Sequence, residues 1–210
     1  MNMMKLFKNE DAFTGLEAAI VLIAFVVVAA VFSYVVLGAG FFTTQEAQRV
    51  VHTGSQQASS SLEIIGNVYG YADSTSTTDL GYIVFTVGNT AGGSSIDVSQ
   101  MLVTYVCEDV SEVITFKESA ASWGGTPIDP ENAGSNLDNA KWTVINTYNN
   151  VGDANKLLEQ GEQFVLAIKF PSTKPAANKE FSVNLQPAVG AVYPIKRTVP
   201  PNLDTVNILR

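Results

Sequence analysis

Residues 18–42, AAIVLIAFVVVAAVFSYVVLGAGFF, carry no charged side chain, and the run is 42 − 18 + 1 = 25 residues long. At about 1.5 Å per helical residue it reaches about 37 Å, more than the ~30 Å hydrocarbon core of a bilayer. A chain carrying such a run close to its N-terminus meets a membrane, at least transiently.

The run is preceded by MNMMKLFKNEDAFTGLE, with Lys5 and Lys8 followed by Glu10 and Asp11. A secretory signal has a shorter apolar region of about 7 to 15 residues and a small-residue cleavage site after it. Here the apolar part is too long, and Ala39 and Ala47 make a poor site behind it. The expected processing point lies before the run, around Asp11, Ala12 and Phe13, so the apolar helix stays in the mature chain.

Beyond the run, Ala47, Val51, Gly54, Ala58, Leu62 and Ile65 are spaced by 4, 3, 4, 4 and 3, a mean of 18/5 = 3.6. The opposite side carries Gln45, Glu46, Arg49, Gln56, Gln57, Ser60 and Glu63, which predicts an amphipathic extension. A continuous helix from Phe13 to Ile65 has 53 residues and measures about 80 Å. Gly38 and Gly40 interrupt it, each at about 1 kcal/mol relative to Ala. Two readings compete there: close helix-to-helix approach at small residues, which is preferred, or a locally melted segment.

The segment FTGLEAAIVLIAFVVVAAVFSYVVLGAG resembles the N-terminal part of archaeal flagellins (archaellins), in the type IV pilin superfamily. The likeness covers the leader and helix up to about Gly66; beyond that it rests on domain size, a β-rich pattern and the ending IKRTVPPNLDTVNI. The resemblance implies a class III leader at residues 1–12, cut by a prepilin-type signal peptidase. It also implies a filament-core helix at 13–66 and an outer, immunoglobulin-like β-sandwich at 67–210. Leaders of the family usually end in Gly, whereas Ala12 or Asp11 stands here, so the cut is placed only to within a residue.

After Gly66 the stretch GNVYGYADSTSTT, rich in Gly, Ser and Thr, reads as a linker. β-type runs follow at Leu80–Val87, Val98–Val106, Glu112–Lys117, Trp142–Tyr148, Gln163–Phe170, Phe181–Leu185 and Ala191–Arg197. Their alternation predicts half-buried strands in an antiparallel two-sheet sandwich, so the fold class is α+β: a long N-terminal hydrophobic helix followed by an antiparallel β-sandwich.

Net charge is −8, and the residues after Gly66 carry 9 basic and 15 acidic side chains, 9 − 15 = −6. That excess excludes nucleic acid as a partner, because neutralising phosphates takes clustered Lys and Arg. Cys107 is the only cysteine, so no disulfide closes within the chain. His52 is the only histidine, and its place on the helix leaves triads and histidine-based zinc sites without ligands. Gly88–Gly93, GNTAGG, lacks the Gly-Lys-Ser/Thr ending of a phosphate loop and reads as a hairpin connection. An enzyme is not expected. Asp129, Glu131, Asn136 and Asp138 form an oxygen-rich stretch that could offer ligands to Ca²⁺; the preferred reading is an exposed loop of turn formers.

Glu17 sits one residue before the apolar run. A carboxylate there costs up to about 2.5 to 3.5 kcal/mol in lipid unless it finds a partner, and cleavage creates an α-amine within a turn or two. Favourable placement at a helix N-terminus is the alternative reading. The apolar positions Ile20, Val27, Ala30, Val31, Val51 and Leu62 are expected to form the assembly face.

The expectation is a structural subunit of an archaellum, the swimming filament of archaea: membrane-inserted before assembly, then extracellular. It would polymerise with copies of itself or paralogous archaellins and would work with the peptidase and with the membrane platform and motor. An adhesive type IV pilin, a minor pilin and a membrane-anchored β-domain acting as a binding module are the alternatives.

Overall fold

The structure, a computed structural model, describes residues 10–59, 61–73, 76–90, 92–152 and 154–210. It divides into two compact units, Met1–Thr53 and Gly54–Arg210. The first contains most of helix α1, which spans Glu10–Ser59, 50 residues with no proline to remove a backbone donor. The helix runs unbroken through Gly38 and Gly40, so the locally melted reading fails. Just beyond them the hydroxyls of Thr43 and Thr44 donate to the carbonyls of Ala39 and Gly40, 2.8 Å each.

The second unit is built of strands β1 (Leu62–Asp73), β2 (Ser76–Asn89), β3 (Ile96–Asp97), β4 (Leu102–Cys107) and β5 (Val110–Phe116). After a short helix α2 (Pro130–Asn136) of about two turns come β6 (Lys141–Tyr148), β7 (Leu157–Leu158), β8 (Gln163–Lys169), β9 (Glu180–Gln186), β10 (Tyr193–Thr198) and β11 (Val206–Leu209). Nine of them form one sheet in the order β10-β9-β4-β5-β6-β8-β2-β1-β11, and β3 pairs with β7 apart from it. Every neighbouring pair is antiparallel except β5 with β6, which meet in parallel over only Thr115↔Lys141 and Phe116↔Trp142. That short seam joins two layers, β10-β9-β4-β5 and β6-β8-β2-β1-β11. One hydrophobic cluster takes Val103, Tyr105, Phe181, Val183 and Ile195 from the first layer and Phe85, Trp142, Phe164, Leu166 and Leu209 from the second. The rings of Tyr105 and Phe181 each pack on Phe170, with centroids 5.0 and 5.2 Å away.

Three expectations need correction. The helix does not reach Ile65: Leu62 to Ile65 are the start of β1, and Leu62 is 2 % exposed in the β-core rather than on a helix face. The sequence before Leu62 is rich in serine, a residue type that favours helix ends over helix interiors, and Ile64 and Ile65 suit a strand. The apparent linker after Gly66 is also strand at 66–73 and 76–78, in β1 and β2. Gly66 itself, at φ +84°, lies in the irregularity between Ile65↔Thr86 and Tyr69↔Val84. Gly70 lets β1 close on the core, since a Cβ there would stand 2.9 Å from the Leu80 side chain and 3.0 Å from that of Leu209. Finally, GNTAGG does not close a hairpin. The chain leaves β2 after Asn89 and goes to β3, whose partner is β7, while Thr90 Oγ1 donates to the Ser61 carbonyl at 2.9 Å.

Alternation predicts a half-buried β8, yet Phe164 to Ile168 are all buried. Its outward face, with those of β2 and β6, is covered by α2. Ala133 and Leu137 pack on Tyr82, Val84, Ile145, Val165 and Ala167 in a second cluster. A Cβ on Gly134 would stand 2.4 Å from the Tyr82 ring, so only glycine lets α2 lie this close.

Candidate assembly helix

Helix α1 is the part of the molecule whose chemistry its own chain leaves unsatisfied. From Gly15 onward, every α1 residue whose burial is described is exposed, and the large apolar side chains between Leu16 and Val51 are 51–80 % exposed. Ile20, Val27, Val31 and Val51 are all exposed, as is Ala30. Ile20, Val27, Ala30 and Val31 share one side of the helix, but Leu22, Phe25, Val28 and Phe32 are exposed on the others, so the apolar run is apolar all round, the pattern of a helix buried on every side. Residues Gly15–Ser55 are long and apolar enough to cross a membrane, none of that length buried within the chain. Leu62, placed with these residues by its spacing, belongs to the β-core instead.

Charge is confined to the ends of this surface. Glu17 is exposed at the near end, and at the far end Arg49 pairs with Glu46 at 3.4 Å, one turn away on the same helix. His52 is exposed beyond them. At Gly38 and Gly40 no atom lies within 4 Å of where a Cβ would stand, so the backbone is open to close approach by another helix. Asp11, Ala12 and Phe13 fall in the first turn of α1, and the leader before Glu10 lies outside the described residues.

Within the acidic stretch, two carboxylates have partners from the chain itself. Asp129 caps α2, its Oδ1 accepting from the Glu131 amide at 3.1 Å. Asp138 pairs with Lys117 at 3.0 Å, a contact that holds its carboxyl below the usual carboxylate range. The last turn of α2 is tied down by Lys169, whose ammonium donates to the carbonyls of Gly134 and Leu137 at 2.7 Å each, and by Lys117, which donates to that of Asn136 at 3.0 Å. Glu131 lies near the stacked rings of Tyr71 and Tyr82, with centroids 4.6 Å apart. The Tyr82 hydroxyl lies 2.8 Å from the Glu131 carbonyl oxygen, and its pKa is pushed up, first by burial and then by its neighbour Tyr71. Among the described residues, no group of three His, Cys, Asp or Glu side chains is placed to share a metal.

Sequence reasoning passed over Glu162. It is buried, and its two carboxylate oxygens accept from the amides of Val151 at 2.6 Å and Glu159 at 3.0 Å. A Glu in a polar stretch, EQGEQF, gives no sign of this, because its partners are backbone amides, one three residues back and one in a loop eleven residues back, and a backbone amide leaves no mark in the residue types. Cys107 is buried and free, with its sulfur 3.7 Å from the Glu180 carbonyl oxygen.

Comparison with known proteins gives this geometry its family. Residues 12–197 match archaeal-type flagellin. "Probable flagellin 1" of Archaeoglobus fulgidus is 38 % identical over 98 % of both chains, and "Flagellin B1" of Methanococcus voltae is 30 % identical over 98 % of this chain and 97 % of its own. The "24 kDa flagellin" of Methanospirillum hungatei is 91 % identical over 32 residues, which span 15 % of this chain. Among solved structures, the archaeal flagellum of Methanospirillum hungatei strain JF1 superposes with a TM-score of 0.67 at 30 % identity, covering 93 % of this chain and 99 % of that one. A fully exposed apolar helix, a β-rich second unit and matches that run almost end to end agree on one conclusion: the chain belongs to the archaeal-type flagellin family.

Proposed function

We propose that this protein is a structural subunit of an archaellum, polymerising through α1 into a filament used for swimming. The observation that carries the reading is the exposure of the whole run 18–42 in a chain of this family. Burying one Leu, Val or Phe side chain is worth about 1.5 to 3 kcal/mol, so a helix lined by such residues gains far more from packing than a monomer gives it. Lipid satisfies it before assembly. Outside the membrane only other copies of the same helix, or those of paralogous archaellins, match it in length and character. The likeness to a flagellum structure at 30 % identity supports the same packing.

Two further parts extend the reading. A prepilin-type signal peptidase removes the leader around Asp11, Ala12 and Phe13, and the new α-amine neutralises Glu17 on the same or a neighbouring helix as both leave the membrane. A membrane platform and motor then insert and turn the growing filament. The subunit performs no catalysis in this scheme, and no cofactor is part of it. Deleting the gene should abolish swimming; a deletion strain that swims normally but loses attachment would make the protein an adhesive pilin. Intact mass of the filament protein should give a chain beginning at Ala12 or Phe13, and one beginning at Met1 would defeat the processing scheme.

A further inference from the structure

The β-unit exposes two apolar patches that its own fold does not explain. One is the loop between β9 and β10, where Ala188, Val189, Ala191 and Val192 are all exposed. From Pro187 to Val192, PAVGAV, it has no polar side chain, although a surface connection is normally built of polar turn formers. Leu102, in β4 opposite the end of β9 at Leu102↔Gln186, adds a side chain 46 % exposed. The other patch lies on β1 and β11, where Tyr69 stands opposite Ile208 and Tyr71 opposite Val206. Tyr69, Val206 and Ile208 are 38, 37 and 56 % exposed, and β11 is the last strand of the sheet order, with one side unpaired. An open, apolar edge of this kind recruits another chain unless something covers it. The six residues of β10, about 20 Å of extended chain, separate the loop from the connection leading to β11.

We propose that the two patches meet: the 188–192 loop of one subunit seats on the Tyr69, Val206 and Ile208 edge of a neighbouring copy in the filament. The inference rests on the filament reading above. Helical polymers are held by heterologous contacts, which need two different patches on each subunit rather than one self-complementary patch. Charge selects the same surfaces. The residues after Gly66 carry 9 − 15 = −6, so neighbouring β-units repel wherever carboxylates face each other, and contact is cheapest at surfaces without charge. Neither set of side chains contains a charge. The patches are also small. A stable interface between free proteins buries at least about 1,000 Å², and a handful of side chains on each side falls short of that. The contact is therefore silent between free β-units. It forms once α1 has tethered the subunits, when the effective concentration reaches the millimolar range.

The test uses full-length filaments carrying Val189→Cys, Ile208→Cys or both, treated with a short bis-maleimide; the native Cys107 is buried and serves as the unreactive background. The double variant should give a ladder of covalent dimers, trimers and longer chains, and each single variant should stay monomeric on a denaturing gel. Intact filaments that yield no ladder overturn the contact and leave the helix-driven reading standing. Dimers from Ile208→Cys alone overturn it too, since they report a self-complementary edge. Absence of filaments from the unsubstituted chain would defeat both. A measurement free of substitutions runs alongside: amide exchange at residues 188–192 and 206–208 should slow at least tenfold in filaments relative to the same chain held monomeric in detergent. Equal exchange in the two states refutes the contact.

Discussion

Val27 in α1 and Val144 in β6 are the same residue, one 54 % exposed and the other fully buried. The contrast extends over both units. Helix α1 displays Ile20, Phe25, Phe32 and Phe41 to solvent, while the β-unit hides Ile83, Phe85, Phe164 and Phe181. The β-unit closes its core with strands distant in sequence, such as β1 against β11, and spends its apolar surface internally. A single helix has no such recourse, because all its hydrogen bonds are local and no face of it can fold back on another. Apolar surface in the β-unit thus stabilises a fold, and in α1 it stabilises an assembly.

The sharpest way to break this comparison is to charge α1. Val27→Asp or Ala30→Asp would bury an unpaired carboxylate, at about 2.5 to 3.5 kcal/mol per copy on membrane-insertion scales, repeated in every subunit. Filaments should vanish from electron micrographs of cells, while a fragment beginning at residue 61 keeps its β-type circular dichroism and stays monomeric on gel filtration. Filaments surviving Asp at either position, or a fragment that polymerises unaided, would put the assembly surface in the wrong unit.

Leu62 tests the border between the two regimes. Because it packs in the β-core, Leu62→Ala should lower the stability of that fragment by about 2 to 5 kcal/mol in urea denaturation. A fragment beginning at Gly66, which lacks Leu62 and Ile64, should be weaker still. If Leu62→Ala left the fragment's midpoint unchanged and impaired only filaments, Leu62 would belong with α1 after all.

Smaller in effect is the closure of α2 over the second layer. Gly134→Ala drives a methyl into the Tyr82 ring and should cost about 1 to 3 kcal/mol, while Gly54→Ala, with nothing within 4 Å of its Cβ, should leave the fold's stability intact. Equal melting temperatures for the fragment with and without Gly134→Ala would mean that α2 is not held down as described.

The smallest effect is a titration. Burial raises the pKa of Tyr82 above its ordinary value of 10.0, and burial likewise raises Tyr105. A group whose folded pKa lies above its unfolded one stabilises the fold fully below the unfolded value and loses that contribution as pH rises past it. The β-unit should therefore be insensitive to these phenols at neutral pH and should weaken above about pH 10, with Tyr82→Phe reducing the alkaline loss. A Tyr82→Phe fragment with an unchanged alkaline slope would remove Tyr82 from this account.

How far the chain could be read in advance depended on the range of the interactions involved. The run 18–42 and its uncharged length were legible because a helix reports its surroundings locally, through every residue in turn. β2, β4, β5, β6, β8, β9 and β10 are visible through alternation and β-branched content. β1 is not, because Gly66 and Gly70 look like linker residues until Leu80 and Leu209 come to lie beside Gly70. The helix period carried on through Leu62 and Ile65 because a residue set spaced by three and four can equally serve two faces of a strand, and only the core decides. The stretch from Asp129 to Asp138 reads as an exposed loop of turn formers, yet 130–136 form α2, because Asp129 caps it and Lys117 and Lys169 bind its last carbonyls, partners too far along the chain to be visible in the sequence.

By itself, then, the amino-acid order determined that the first unit is an apolar helix, that the second is built of strands under an acidic surface, and that the chain resembles archaellins. Those properties follow from composition and short-range periodicity, which need no partner to be expressed. Tertiary structure decided where the helix yields to β1, that two layers join through the brief parallel seam of β5 and β6, and that α2 seals the face of β8 that alternation assigned to water. Each of those outcomes depends on residues tens of positions apart meeting in space, and a linear pattern carries no record of which ones do.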